Sequence, residues 1–321
     1  MRSKRPPSIL SARAIARLPG NHGLIRKAKS YGRPADDESF ATALVAAARN
    51  DDKAPDPGSF AFGRVRPHIA QLRQVLADLE NPATGLIDAA KRRIALYAPP
   101  GIDAAITGYF VVGGTSGGFA FGDPQFFLNL DYFPDAVLAT TILEHELYHA
   151  VQGAAAPGKA GVAAINRGVA RTKQPAHLDD LFGSLMMEGT ASAVGDVLAL
   201  PKDATGAVAT EREKFARNVG MISRSVTLLE LSTHALATHT VDYDSIYDLG
   251  FYGDEILCSL GYVMAKAIER ERGAALIRDP TGVRFVNVYR ELKGYGKSAD
   301  APALGAKTIA LAQRMAVCAV K

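Results

Sequence analysis

The stretch from Pro134 to Gly153 is apolar and has helical periodicity, yet His145, Glu146 and His149 interrupt it near its middle. A helix with so few polar positions has to be enclosed on most of its surface, and buried imidazole and carboxylate groups are costly unless something pairs with them. The fold must therefore surround this helix and also supply a partner for its polar cluster. Along an α-helix His145 and His149 point about 40° apart and sit one turn from each other, so both rings can reach one metal ion. Glu146 lies about 60° from His149, roughly one hydrogen-bonded water away. The pattern is H-E-x-x-H: the histidines hold zinc, an open coordination position holds water, and the glutamate takes the water's proton. Pro134 suits the first turn of such a helix and Asp135 suits the positive end of its dipole, with APG beyond Ala155 as a stop.

A hydrolytic zinc takes a third protein ligand. The metzincin continuation needs a glycine and then another histidine after the second histidine of the motif, and those positions are Gln152 and Ala155. That class is excluded. A glutamate on a later helix is the alternative, and Glu188 stands in LFGSLMMEGTASAVGDVLALP, among apolar and small residues. An ionised carboxylate in such surroundings requires a cation or a metal. Gly189, Ala191 and Ala193 would let this helix approach the first one closely. The competing reading is an ordinary exposed glutamate.

Charge is unevenly divided along the 321 residues. Residues 1–35 hold nine basic groups and no acid, which leaves 28 basic against 33 acidic residues in the remainder. The body is mildly acidic, so a nucleic-acid partner is not expected, while the arm has the composition of a targeting presequence or of a segment that touches anionic surfaces. Its apolar positions are too scattered for a signal-peptide core. We read residues 1–58 as a basic, flexible extension that ends in the polar linker DDKAPDPGS, with residues 1 to about 35 dispensable for metal binding, and residues 59–321 as the catalytic domain. No run of apolar residues is long enough to span a membrane, and a soluble, cytoplasmic chain is the default expectation. Two cysteines, Cys258 and Cys318, exclude a disulfide-framed miniprotein and a cysteine-ligated zinc ribbon but allow one bridge.

Elsewhere HIAQLRQVLADLE and ATGLIDAAKRRIALYA have helical spacing and end at NP and PPG. AAITGYFVVGG and QFFLNLDYF are rich in β-branched and aromatic residues and read as two strands of a small antiparallel sheet, joined by the loose glycine-rich turn GGTSGGFAFGDP. From Pro134 onward the pattern is almost entirely helical.

At this point the chain resembles the gluzincin metallopeptidases, and within them bacterial groups described as zinc-dependent peptidases, in which a strand precedes HExxHxxQ and then EGxA. Here those are QFFLNLDYF, HELYHAVQ and EGTA, and FYGDEILCSLGYVMAKAIERERG looks like a later helix of the same proteins. The resemblance covers residues 105–275. It implies His145, His149 and Glu188 as zinc ligands, Glu146 as general base, and a peptide substrate lying antiparallel to the strand before the active-site helix. In several gluzincins an aspartate one turn after the ligand glutamate orients a zinc-bound histidine. This chain has Ser192 there, with Asp196 two turns on, so the partners of the ligands are unassigned. For the tyrosine or histidine that stabilises the oxyanion, Tyr252 is the first candidate, with Tyr262, His234 and His239 behind it.

The expectation is a mainly helical α+β, zincin-like fold in which a small antiparallel sheet is followed by the active-site helix and a helical C-terminal half. The expected activity is zinc-dependent hydrolysis of a peptide or protein substrate. The alternatives are a zincin scaffold that binds peptides without turnover and a helical interaction protein whose motif is coincidental. Oligomeric state is left open.

Overall fold

The computed structural model describes residues 6–102, 105–155, 177–274 and 282–318. The segment expected to be a flexible extension is instead helical and packed. Helices α1 (Ile9–Ala16), α2 (Pro19–Ser30) and α3 (Asp37–Ala48) each start at a recognisable cap. The Ser8 hydroxyl accepts from Ser11 N–H, Pro19 opens α2, and Asp36 forms a reciprocal capping box with Ser39. Their inward faces consist largely of Ala12, Ala16, Gly23, Leu24, Ile25 and Phe40, all buried. Alanine and glycine carry little hydrophobicity, which is why this face reads weakly in the sequence. Folding also accounts for much of the arm's charge, because Arg13, Arg17 and Arg26 pair with Glu38, Asp37 and Asp123.

After the single turn α4 (Phe62–Val65), the two expected amphipathic helices appear as α5 (Ile69–Glu80) and α6 (Leu86–Tyr97). The sheet differs from the expectation. It has three strands, β1 (Thr107–Val111), β2 (Gly118–Ala120) and β3 (Gln125–Asn129), in the order β1-β3-β2. β1 runs parallel to β3, and only β2 pairs antiparallel with it, so the sheet is mixed. The glycine-rich segment is thus a strand with a structured connection before it. Gly113 and Gly114 take positive φ (94° and 79°), a region closed to most side chains, and the buried Asn129 amide donates to the carbonyls of Gly113 (2.6 Å) and Ser116 (3.0 Å). β3 has a neighbour along each edge. The peptide expected to lie along it cannot pair there; among the described residues β2 pairs only with β3, so the strand next to α7 keeps an unpaired edge.

Alternation along the sheet fixes what each face meets. Phe126 and Leu128 join the main core, whereas Val111, Phe119 and Phe127 join a second core with Leu24, Ile25 and Phe40. α2 lies close over this second face: a Cβ on Gly23 would overlap the Phe127 ring. The sheet is therefore covered on one side by the N-terminal helices and on the other by α7 (Ala136–Ala155), the helix that carries His145, Glu146 and His149. Helix α7 begins two residues later than Pro134, with the Asp135 carboxylate accepting from the N–H groups of Val137 (2.8 Å) and Leu138 (3.1 Å). Its proposed APG stop lies outside the described residues.

The C-terminal half is helical: α8 (Leu178–Val194), α9 (Gly206–Gly220), α10 (Ile222–Ala237), α11 (Tyr243–Gly250), α12 (Ile256–Arg272), α13 (Gly282–Arg290) and α14 (Ala306–Cys318). α8 is buried along nearly its whole length and presses on α12 so closely that a Cβ on Gly189 would lie 2.6 Å from the Gly261 carbonyl oxygen. The small residues after Glu188 thus let two backbones touch. Cys258 on α12 is a buried free thiol. Among the described residues no helix is long and apolar enough to cross a membrane.

Candidate metal centre

His145 and His149 project from one face of α7, with their Nε2 atoms 3.0 Å apart. α8 brings Glu188 against them, its Oε2 lying 3.6 Å from His145 Nε2 and 3.3 Å from His149 Nε2. Four ligands at zinc-to-nitrogen and zinc-to-oxygen distances of about 2.0–2.1 Å define a tetrahedron whose edges are about 3.3 Å. The three donor separations match those edges, so one zinc ion fits between the atoms without rearrangement of the helices. The donor set of two imidazoles and one carboxylate is also the kind that leaves a fourth position open in catalytic zinc sites.

The orientation of the ligands is built into the same two helices. His149 Nδ1–H donates to Gln152 Oε1 (2.9 Å), which leaves the Nε2 lone pair directed at the cluster. The Gln152 amide in turn donates to the Met187 carbonyl (3.2 Å) and to Thr190 Oγ1 (2.8 Å) on α8, one residue before and two after the ligand glutamate. Gln152 therefore links the imidazole of one helix to the backbone that carries the carboxylate. It is the last residue of the HELYHAVQ stretch, and its spacing of three from His149 was the available signal for this role. Arg93 of α6 provides a second tie: its guanidinium donates to the carbonyls of Val194 and Ala193 (3.2 Å for the latter) and lies 3.5 Å from Glu144, next to His145.

Electrostatics follow from burial. The Glu188 carboxylate raises the His149 imidazole to about 9 against the desolvation that would lower it, and both histidines hold Glu188 far below the ordinary carboxylate range despite its burial. The pair thus carries the charges that a divalent cation and neutral imidazoles would replace. Burial pushes the Glu146 carboxyl upward, with His145 and His149 opposing that shift, Glu188 adding to it, and Lys27 of α2 opposing it as well. Glu146 is 8% exposed and faces β2, where a Cβ on Gly118 would stand only 2.5 Å from its Cγ and 2.6 Å from its Cδ. Only glycine leaves room for this carboxylate, and the register that sets Gly118 opposite Leu128 puts it on the α7 face.

The oxyanion candidates are placed differently from one another. Tyr262 donates to Asp196 (3.0 Å), and Asp196 also meets Lys266 (3.5 Å), so both belong to a network behind the site and Asp196 does not orient a ligand. His234 and His239 are exposed, one on α10 and the other just past its end. Tyr252 is 52% exposed and interacts with Tyr31, which follows the last residue of α2. Tyr247 of α11 is the residue sequence reasoning passed over. The Glu188 carboxylate is the largest influence on its phenol, holding it well above its usual value together with burial.

His145, His149 and Glu188 thus form a cluster of two imidazoles and one carboxylate that could hold a metal ion. The family model described as "Putative zinc dependent peptidase (DUF5700)" matches residues 13–293, and the chain belongs to that family. That span takes in α2, α3 and the second half of α1. No curated protein and no solved structure matches the chain.

Proposed function

We propose that this protein is a zinc-dependent peptidase in which His145, His149 and Glu188 hold the metal and Glu146 moves protons. The observation that carries the reading is the donor triangle of 3.0, 3.3 and 3.6 Å with a buried carboxylate beside it. Zinc in that position supplies a Lewis acid that polarises the scissile carbonyl and makes water more acidic. Glu146 accepts a proton from the attacking water at its carboxylate oxygen and delivers it to the leaving amine. Its enclosure by Gly118 and α7 favours the neutral acid, which brings its proton affinity closer to the working pH and suits both halves of that exchange. Gln152 keeps the His149 ring in the tautomer that presents Nε2. An extended substrate would pair with the free edge of β2, next to Glu146.

For the oxyanion the reading favours Tyr247 over Tyr252, because the phenol of Tyr247 lies within electrostatic reach of the ligand glutamate. The test is metal content and peptide turnover in four variants. Glu146→Gln should retain about one zinc per chain and lose activity by roughly a hundredfold or more. Glu188→Ala should lose zinc. Tyr247→Phe should keep zinc and slow turnover by about a hundredfold, the scale of one lost oxyanion donor, while Tyr252→Phe changes it far less. Full zinc affinity in Glu188→Ala, or full activity in Glu146→Gln, would overturn the assignment.

A further inference from the structure

Arg13, Arg17, Arg26, Arg64 and Arg66 each meet a carboxylate at 3.4 Å or less. Lys27 and Arg33 do not. Both are half-buried, and among the described residues neither has an acidic side chain within salt-bridge distance. What surrounds them instead is aromatic and hydroxylic. The Lys27 ammonium stands 5.0 Å from the Tyr31 ring centre and 5.6 Å from that of Phe119, and the Arg33 guanidinium stands 5.4 Å from Tyr31. Arg33 Nη1 donates to Thr115 Oγ1 (2.9 Å), and the Tyr31 and Ser116 hydroxyls lie 3.1 Å apart. These side chains line one depression beside the connection into β2.

Aromatic faces attract a cation without neutralising it, and the buried Glu146 carboxyl feels Lys27 only from beyond salt-bridge distance, so among the described residues both cations keep room for a directly paired anion. The group that would complete this arrangement is an anion, and a guanidinium flanked by hydroxyls matches a carboxylate. Its location decides whose carboxylate. Ser116 comes two residues before Gly118, whose backbone faces Glu146, and Phe119 is the next residue of the same edge strand. A peptide paired along that edge passes the proton acceptor and the two cations within a few residues of its own length.

We propose that Lys27 and Arg33, with the Tyr31 and Ser116 hydroxyls, form a carboxylate-binding subsite beside the general base, selecting peptides with a negative charge close to the scissile bond. This rests on the peptidase reading for what is done with the peptide, but not for the binding itself. The carboxylate can come from an aspartate or glutamate side chain or from a free C-terminus.

The test uses the full chain carrying Glu146→Gln, zinc-loaded, with fluorescent peptides followed by anisotropy. Peptide pairs differ only by Glu against Gln at each position around a central bond, or by a free against an amidated C-terminus. The acidic member should bind about tenfold or more tightly, and raised salt should narrow the gap. In the Lys27→Gln/Arg33→Gln double variant the ratio should fall toward one. A preference confined to the side-chain pairs identifies an acidic residue as the ligand, and one confined to the terminal pairs identifies the C-terminus. Equal affinities within every pair, absence of binding by either member, or a ratio unchanged in the double variant would overturn the proposal. Turnover of uncharged peptides by the unsubstituted protein tests the peptidase reading separately, so failure of one is distinguishable from failure of the other.

Discussion

Gly118→Ala tests the proposed role of Glu146 as general base by adding one methyl group. The new Cβ would stand 2.5 Å from Glu146 Cγ and 2.6 Å from Cδ, and closer still to Oε1, where carbon atoms normally keep about 3.5–4.0 Å. Backbone strain does not enter, since Gly118 lies in a regular strand without positive φ. The overlap of about 1 Å is relieved most cheaply by rotating the Glu146 side chain out of its slot, because β2 is held by its ladder to β3 and α7 by its packing on both sides. The metal ligands are untouched. We therefore expect about one zinc per chain, a melting temperature within a few degrees of the parent, and turnover reduced by roughly a hundredfold, or about 2.7 kcal/mol in the barrier. Metal analysis, thermal melting and peptide kinetics on the same preparation decide it. Combined with Glu146→Gln, the substitution should add almost nothing, since both remove one function. Full turnover in Gly118→Ala, or additive losses in the double variant, would refute the placement of Glu146 as the base.

Three further outcomes follow from the same structure. Gln152→Leu removes the acceptor of the His149 Nδ1–H and should weaken zinc binding by about 10–100-fold, measured by competition with a chelator. Deleting residues 1–48 strips α1–α3 from one face of the sheet and exposes Val111, Phe119 and Phe127, so the truncated chain should aggregate or melt early rather than retain full metal stoichiometry. In the metal-free protein His149 has a folded value of about 9 against an ordinary 6.5, so its contribution to stability is complete below pH 6.5 and is lost as pH rises through about 9. Glu188 is shifted downward from 4.5, so its contribution is present above pH 4.5 and is lost in acid. Metal-free stability should therefore fall between pH 6.5 and 9, and zinc binding near neutral pH should release close to one proton, readable by calorimetry in buffers of different ionisation heat.

Residues 134–153 announce their own structure, because apolar spacing at 3.6 residues and two histidines one turn apart are local facts of one helix. The amphipathic helices α5 and α6 are legible for the same reason. Glu188 could be singled out because a carboxylate among methionines, glycines and alanines has to have a partner, and the cluster on α7 was the group in need of one. The small residues beside it were expected to bring α8 close to α7, whereas the tightest approach, at Gly189, is to Gly261 of α12.

Strand order, by contrast, was decided by tertiary structure. Any two β-rich runs can pair in either direction, and only the return of residues 118–120 against β3, locked by the Asn129 amide, makes β1 parallel and leaves β2 at the edge. SFATALVAAARN has the look of a short helix and is α3, but α1, α2 and the packing of all three were hidden because their buried faces are mainly alanine and glycine, whose burial depends on what lies opposite, here Phe127 and its neighbours. Gln152, Tyr247 and Lys27 come to the centre from positions whose significance is set by distance between elements rather than by spacing within one. A helix period is a property of consecutive residues, whereas the neighbours of a metal ligand are a property of how separate helices and strands pack.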